Sequence, residues 1–313
     1  MSPVAVASRS FSKHSVLRSE LAARFPNAKF NDAGASLKGE ELVAFLSGCE
    51  KAVLALETVD DALLVRLPEL RLVSKFGVGL DSFDLKAMAA RGVKLAWSPG
   101  TNSRSVAELA LMSMIALLRR VPEACGDLAA GKWGQPKGST LTGKTVGLVG
   151  LGAVGRELAA LLAPFGVSLL AHEPAPDQAA VARHAIRLVP LDELLAQSDA
   201  VSLHIPLTPS TRNTIDSARL ARMKPSAVLI NTARGGLIDE DALLEALDSG
   251  RLAGAALDAF AVEPLKDRRL AVHPRILATP HIGGSTEEAI LAMGRAAIAG
   301  LDAGRDAAEF IRG

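Results

Sequence analysis

Apolar residues along this chain fall in short runs separated by amphipathic stretches, and that alternation predicts repeated strands and helices. In the first hundred residues the runs at 4–7, 28–30, 52–56, 72–76 and 93–97 read as strands. Residues 15–25, 39–46, 60–67 and 84–91 read as helices. Pro26 stops the first of these, Glu40 and Glu41 favour the start of the second, and Gly92 closes the fourth. Ser-Pro-Gly-Thr-Asn at 98–102 breaks the pattern and marks a domain junction. One long helix is predicted over 103–121, apolar nearly all round, as a helix buried at a domain or subunit contact would be. After a loop at 131–138, strands read at 146–149, 167–171, 186–189, 200–204, 228–231, 255–258 and 276–279. They are more continuously apolar, as a parallel sheet covered on both faces requires. Helices read at 157–163, 191–197, 240–247 and 286–301. The expected fold class is α/β, with two doubly wound parallel-sheet domains.

One turn has chemistry written into it. Gly150, Gly152 and Gly155 form G-x-G-x-x-G between the strand at 146–149 and the helix after it. The first glycine permits a tight turn, the second a close approach of pyrophosphate, and the third close helix–strand packing. The helix N-terminus offers free N–H groups to an anion. Glu173 ends the next strand, about 20 residues on, where a carboxylate can take both adenosine ribose hydroxyls. It would repel a 2′-phosphate, and no Arg or Lys occurs at 174–178 to receive one. The expected cofactor is NAD. The competing explanation is a glycine-rich turn in some other α/β domain, with Glu173 merely solvated.

Composition narrows the field. The 313 residues suit two domains, and net charge is +1 with no long charged run, which argues against nucleic acid or an anionic membrane as partner. The N-terminus lacks a signal-peptide pattern, and no apolar run approaches the length of a membrane span. Cys49 and Cys125 are far apart, with no C-x-x-C, which suits a reducing cytoplasm. No metal site is expected. Tyrosine is absent, which removes it as a general acid.

Ligands of such sheets sit outside the carboxyl ends of the strands. Three of those ends carry Arg234, Glu263 and His281. Hydride transfer at a carbon bearing oxygen needs a proton moved at that oxygen, and His titrates nearest neutrality. A carboxylate beside it stabilises the imidazolium and fixes its tautomer. Arg holds a substrate carboxylate with two oxygens at once. Each residue also has a plainer explanation: a loop histidine, an arginine on a helix end, a solvent-facing glutamate. His14, His172, His184, His204 and His273 lack such placement and read as structural or exposed.

Together these residues carry a family likeness. The chain resembles the NAD-dependent D-isomer-specific 2-hydroxyacid dehydrogenases, of the phosphoglycerate dehydrogenase and hydroxypyruvate reductase kind. The likeness runs over almost the whole chain. It is carried by Gly-Val-Gly-Leu-Asp at 77–81, Asn-Ser-Arg-Ser-Val-Ala-Glu at 102–108, the glycine turn, Ile-Asn-Thr-Ala-Arg-Gly-Gly at 230–236, Ala-Ala-Leu-Asp-Ala-Phe at 255–260 with Glu263-Pro264, and Thr-Pro-His-Ile-Gly-Gly at 279–284. The resemblance implies a flavodoxin-like substrate domain at 1–98 plus 286–313, discontinuous, and a Rossmann NAD-binding domain at 99–285. It implies His281 as acid/base, Glu263 as its partner, and Arg234 as ligand of the substrate carboxylate and carbonyl. Backbone N–H groups of Val78 and Gly79 would complete the carboxylate site. Ala153 and Val154 would cover the pyrophosphate, Asp258 would bind the nicotinamide amide, and Ile205, Pro206, Thr232, Ala233 and Gly284 would line the cofactor. A homodimer joined through the coenzyme domain is implied too.

Two departures bear on substrate. The ribose acid is Glu173 where the family more often has Asp. The segment at 54–59 has no cation for a substrate phosphate and adds Glu57, with Lys75 the available compensation. Substrate choice is expected to depend on Glu57, Lys75, Val78 and Trp97. No appended regulatory domain is expected. The expected function is interconversion of a D-2-hydroxy acid (glycerate or 3-phosphoglycerate among them) and its 2-keto acid with NAD. The alternative is an NAD(H)-sensing, corepressor-like interaction protein on the same fold. Oxidation of a formate-like donor is disfavoured by Glu263, since those enzymes pair the histidine with Gln.

Overall fold

Two sheets, parallel throughout, take up the apolar runs. The computed structural model describes residues 3–311. It divides into one unit of the residues up to Asn102 together with those from Glu287 on, and a second unit of Ser103–Thr286.

In the first unit the strands are β1 (Val4–Val6), β2 (Lys29–Phe30), β3 (Lys51–Leu54), β4 (Leu72–Lys75) and β5 (Lys94–Ala96), in the order β2-β1-β3-β4-β5. This is a flavodoxin-like winding, reversing direction at β1 and β3. One face packs Leu46, Leu54, Met88 and Leu95. The other packs Phe11, Leu17, Leu21 and Val53 against Ala297, Ile298 and Leu301 of the returning C-terminal segment. The helix Glu287–Gly300 is held there by Ser74 Oγ, which donates to the Ala297 carbonyl at 2.7 Å. Beyond it, Arg305 and Leu95 exchange backbone hydrogen bonds of 2.9 and 3.0 Å in an antiparallel bridge at the edge of β5.

The second unit contains β6 (Thr145–Val149), β7 (Ser168–His172), β8 (Arg187–Leu188), β9 (Ala200–Leu203), β10 (Val228–Asn231), β11 (Gly254–Leu257) and β12 (Ile276–Ala278). Their order is β12-β11-β10-β9-β6-β7-β8. Counted from β6, this is the doubly wound dinucleotide order with a seventh strand, and the switch point lies between β6 and β9. Both faces are covered. Leu194, Val201, Leu229 and Leu257 pack on one side, and Met114, Leu148, Leu158 and Ile230 on the other. Burial on both faces explains why these strands lack a polar alternation.

The structure corrects the helix expected over 103–121. It ends at Leu118, Arg120 takes a left-handed backbone (φ 56°), and a new helix runs Val121–Ala129. Pro122 lies in the first turn of that helix, where its missing N–H costs nothing and its ring presets φ. The first helix buries Ala107, Ala110, Met114 and Leu117, yet leaves Met112 45 % exposed; the second buries none of its residues. The helix Ser103–Leu118 is thus buried over part of its circumference. Short helices at Arg9–Lys13, Gln178–Arg183, Ser217–Leu220 and Arg268–Val272 are further additions to the sequence reading. They are too short for hydrophobic periodicity to register.

Candidate active site

The turn after β6 is shaped by contacts only glycine allows. Gly150 has φ +99°, and a Cβ there would lie 2.7 Å from the His204 carbonyl oxygen. A Cβ on Gly155 would lie 2.4 Å from the Gly150 carbonyl oxygen. Gly152 differs: a Cβ would meet nothing within 4 Å, so a side chain there would fill open space in front of the helix. Gly152 is the N-cap of the helix Ala153–Leu162 and supplies no side-chain cap. The first-turn N–H groups, including those of Ala153 and Val154, therefore face a cradle fit for a pyrophosphate. Glu173 flanks it. Its Oε2 accepts from Leu151 N–H at 2.8 Å and its Oε1 from Ala175 N–H at 3.1 Å. Each oxygen keeps a further acceptor direction, enough for a ribose diol. These residues fit a dinucleotide.

A polar row crosses the carboxyl edge of the same sheet. The strand registers align Leu148, Ser202, Ile230, Ala256 and Leu277. Two residues further along lie Gly150, His204, Thr232, Asp258 and Thr279. Ser202 Oγ, His204 Nε2 and Thr232 Oγ1 are out of solvent and make no hydrogen bond among the described residues. Thr232 was expected to line the cofactor. His204, expected to be structural or exposed, follows β9 with its ring edge beside Gly155. Burial depresses its pKa to about 4.

The three strand-end residues are tied together by their loops. Asn231 closes the turn carrying Arg234: its Nδ2 donates to the Arg234 carbonyl at 2.8 Å, and its Oδ1 accepts from Ala233 N–H at 3.1 Å. The next residue, Gly235, is pressed on the 260–261 peptide, where an added Cβ would fall 1.8 Å from the Phe260 carbonyl oxygen. That peptide leads into Glu263, whose Oε1 accepts from Phe260 N–H at 3.0 Å. Glu240 accepts from Ala261 N–H at 2.7 Å, and burial raises its pKa. Glu263 then receives His281 Nδ1 at 2.8 and 3.0 Å. That pairing assigns the Nδ1–H tautomer and leaves Nε2 for a reacting group.

His281 has a left-handed backbone, φ 55°, uncommon for a residue other than glycine. Asp258 holds it there. Buried, it accepts from Thr279 Oγ1 at 2.6 Å, Ile282 N–H at 2.7 Å and Gly283 N–H at 2.8 Å. Ser105 Oγ adds a hydrogen bond of 2.6 Å to the Gly283 carbonyl. A carboxylate has about four acceptor directions. Asp258 therefore keeps one acceptor direction, on Oδ2, for the nicotinamide amide that the resemblance implies, and it also braces the histidine loop. Ile205, Pro206, Ala233 and Gly284 lie on the loops that leave β9, β10 and β12.

In the first unit Lys75 is buried, donates to the Ala55 carbonyl and lies over the Phe83 ring at 4.5 Å. Glu57 accepts from Ala55 N–H at 2.6 Å. Val78 and Gly79 form the turn after β4, where Gly77 has φ +128°. Among the described residues no group of three or more His, Cys, Asp or Glu could hold a metal ion, and no helix is long and apolar enough to cross a membrane.

Residues 111–283 match the family model described as D-isomer specific 2-hydroxyacid dehydrogenase, NAD binding domain. The chain belongs to this family. NAD is accordingly the coenzyme of its second unit. D-3-phosphoglycerate dehydrogenase of Rattus norvegicus is 39% identical over 257 residues, which are 81% of this chain and 48% of that protein. The chain thus spans about half the length of the curated relatives it matches. A solved structure from Polaromonas sp. JS6 66, described as an NAD-binding D-isomer specific 2-hydroxyacid dehydrogenase, superposes with a TM-score of 0.88 at 31% identity, covering 97% of this chain and 96% of that one. A glyoxylate reductase from Paecilomyes thermophila gives 0.84 at 28% identity, covering 95% and 93%.

Two outcomes follow from this family member's second unit. Gly235→Ala forces the 260–261 peptide away and with it Glu263; we expect the NMR signal of the His281 Nδ1 proton to shift or vanish in a protein that still folds. An unmoved signal would remove the coupling between the Arg234 and Glu263 loops. His204 is favoured neutral in the folded state, so the unfolded chain takes up a proton first. Its contribution is whole above pH 6.5 and is lost as pH falls toward about 4. Urea unfolding at pH 7.5 and pH 5 is expected to show a stability loss smaller in His204→Leu by about 1–2 kcal/mol; equal losses in both proteins would overturn the burial assignment.

Proposed function

We propose that the protein interconverts a short D-2-hydroxy acid and its 2-keto acid with NAD(H). The observation carrying this reading is the His281 Nδ1–Glu263 hydrogen bond of 2.8 Å, which leaves Nε2 available at the same sheet edge as the glycine cradle. Bound NADH supplies the hydride to the carbonyl carbon, and NAD accepts it in the reverse direction. His281 Nε2–H gives its proton to the carbonyl oxygen during reduction, and takes the hydroxyl proton during oxidation. Glu263 stabilises the imidazolium from the Nδ1 side. Arg234 holds the substrate carboxylate and polarises the carbonyl through its planar fork. The N–H groups of Val78 and Gly79 serve as further carboxylate donors.

The substrate we read is unphosphorylated. Lys75 is committed to the Ala55 carbonyl and the Phe83 ring, while Glu57 adds negative charge to the loop after β3. Mixing the protein with NADH and hydroxypyruvate, glyoxylate, pyruvate or phosphohydroxypyruvate is expected to show NADH oxidation, with kcat/KM for hydroxypyruvate above that for its phosphate ester. No oxidation with any of the four would sink the proposal. His281→Gln should lower kcat by about 10²-fold or more, and Arg234→Lys should lower kcat and raise KM together.

We also read the protein as a cytoplasmic homodimer. Supporting this are two free thiols, Cys49 and Cys125, and exposed apolar side chains on one stretch of the second unit: Met112 (45 %), Leu128 (61 %) and Trp133 (83 %). Sedimentation equilibrium should give twice the chain mass of 32.6 kDa; a monomer at micromolar concentration would refute it.

A further inference from the structure

The turn leaving β4 carries a run of donors. Among the described residues, the backbone N–H groups of Gly77, Val78, Gly79 and Leu80 make no hydrogen bond to the protein. Successive N–H groups in such a turn form a concavity suited to an anion. What aims them is a contact on the opposite side of one peptide. Trp97 Nε1–H donates to the Val78 carbonyl at 3.0 Å. The peptide between Val78 and Gly79 is planar and trans, so its C=O and N–H point in opposite directions. Fixing the carbonyl on the indole therefore turns Gly79 N–H to the other side of the turn.

The indole is fixed in its own right. The Phe310 ring meets Trp97 edge-on, with centroids 5.7 Å apart and planes at 86°. Phe310 ends the 3-10 turn Ala307–Phe310, and the Arg305 guanidinium covers its other contact surface at 4.5 Å from the ring centroid. Arg305 is the residue paired with Leu95 beside β5. The returning C-terminal segment thus sets the position of Trp97, and Trp97 sets the orientation of the Val78 peptide. Tryptophan has a donor and no acceptor, so its one polar contact cannot be exchanged for the reverse.

We infer that Trp97 is a positioning residue for substrate carboxylate binding, acting through the Val78 carbonyl to aim Gly79 N–H at the anion. The inference rests on the function proposed above. A carboxylate accepting from Gly79 N–H polarises the peptide and strengthens the bond on its far side. Substrate binding and the indole hydrogen bond are therefore coupled.

Two measurements test this. The first uses Trp97→Phe, which keeps a ring against Phe310 and deletes the donor. The probe is oxamate, a carboxylate analogue of a 2-keto acid, bound to the protein–NADH complex and followed by NADH fluorescence. The oxamate Kd and the KM for hydroxypyruvate are expected to rise about 5- to 10-fold, the loss of one hydrogen bond, with kcat falling less than KM rises and the Kd for NADH and the Tm unmoved. Unchanged oxamate Kd and KM would overturn the inference, as would a rise matched by equal weakening of NADH or a lowered Tm. The second measurement needs no variant. The chain has two tryptophans, and Trp133 is 83 % exposed. In the protein labelled with 15N at indole nitrogen, oxamate added to the NADH complex should move the Trp97 indole proton downfield and leave that of Trp133 in place. A Trp97 resonance that does not move would overturn the coupling even if Trp97→Phe failed to fold. Failure of the parent to bind oxamate or to oxidise NADH would count against the proposed function itself; a parent that does both, with an indifferent Trp97, sinks only this inference.

Discussion

Asp258 is the residue on which the arrangement of the second unit turns. A carboxylate out of water needs donors, and it finds all three on the loop after β12: Thr279 Oγ1, Ile282 N–H and Gly283 N–H. Satisfying that charge folds the loop tightly enough to put His281 at φ 55°. Strain of this kind persists only where its surroundings over-determine it. Here they do, because the histidine is held from behind by Asp258 and from the side by Glu263. The imidazole stays partly exposed while the backbone behind it is anchored.

The same logic extends along the edge. Arg234, Glu263 and His281 come from three different strand ends, yet none of their loops is independent. Gly235 lets the arginine turn touch the peptide before Glu263, and Glu263 reaches both Phe260 N–H and His281. The glycine turn after β6 belongs to this system through Gly150 and His204. The glycine cradle and the His281–Glu263 pair are thereby set on one rigid layer, which is what the proposed hydride transfer would demand of a scaffold.

Much of this was legible in the sequence, for a physical reason. Strands buried on both faces are continuous apolar runs, and a glycine turn between strand and helix has few other uses, so the sheet edge and its three polar residues could be read directly. The pairing of Glu263 with His281 followed from chemistry rather than pattern. Contacts between side chains and distant backbone left no local mark. The brace by Asp258, the closeness of Gly235 to Phe260, the hydrogen bond from Ser105 to the Gly283 carbonyl and the unpartnered His204 nitrogen all depend on tertiary placement. The break at Arg120 has no mark in the sequence, because arginine is an ordinary helix former and only its left-handed φ ends the helix.

The bridge between Leu95 and Arg305 has a consequence for synthesis. Apart from it, every strand pairing among the described residues is parallel, and this antiparallel contact covers an edge that would otherwise offer unpaired backbone groups to another chain. Its two halves are separated by the whole second unit. A ribosome therefore releases the complete second unit, which is contiguous and has its own core, before the segment that seals the first has been made. Until then β5 is an open edge and Phe11, Leu17 and Leu21 lack the helix that covers them. The first unit is completed only after the second has been made, and its exposure to wrong partners lasts as long as translation of the residues between.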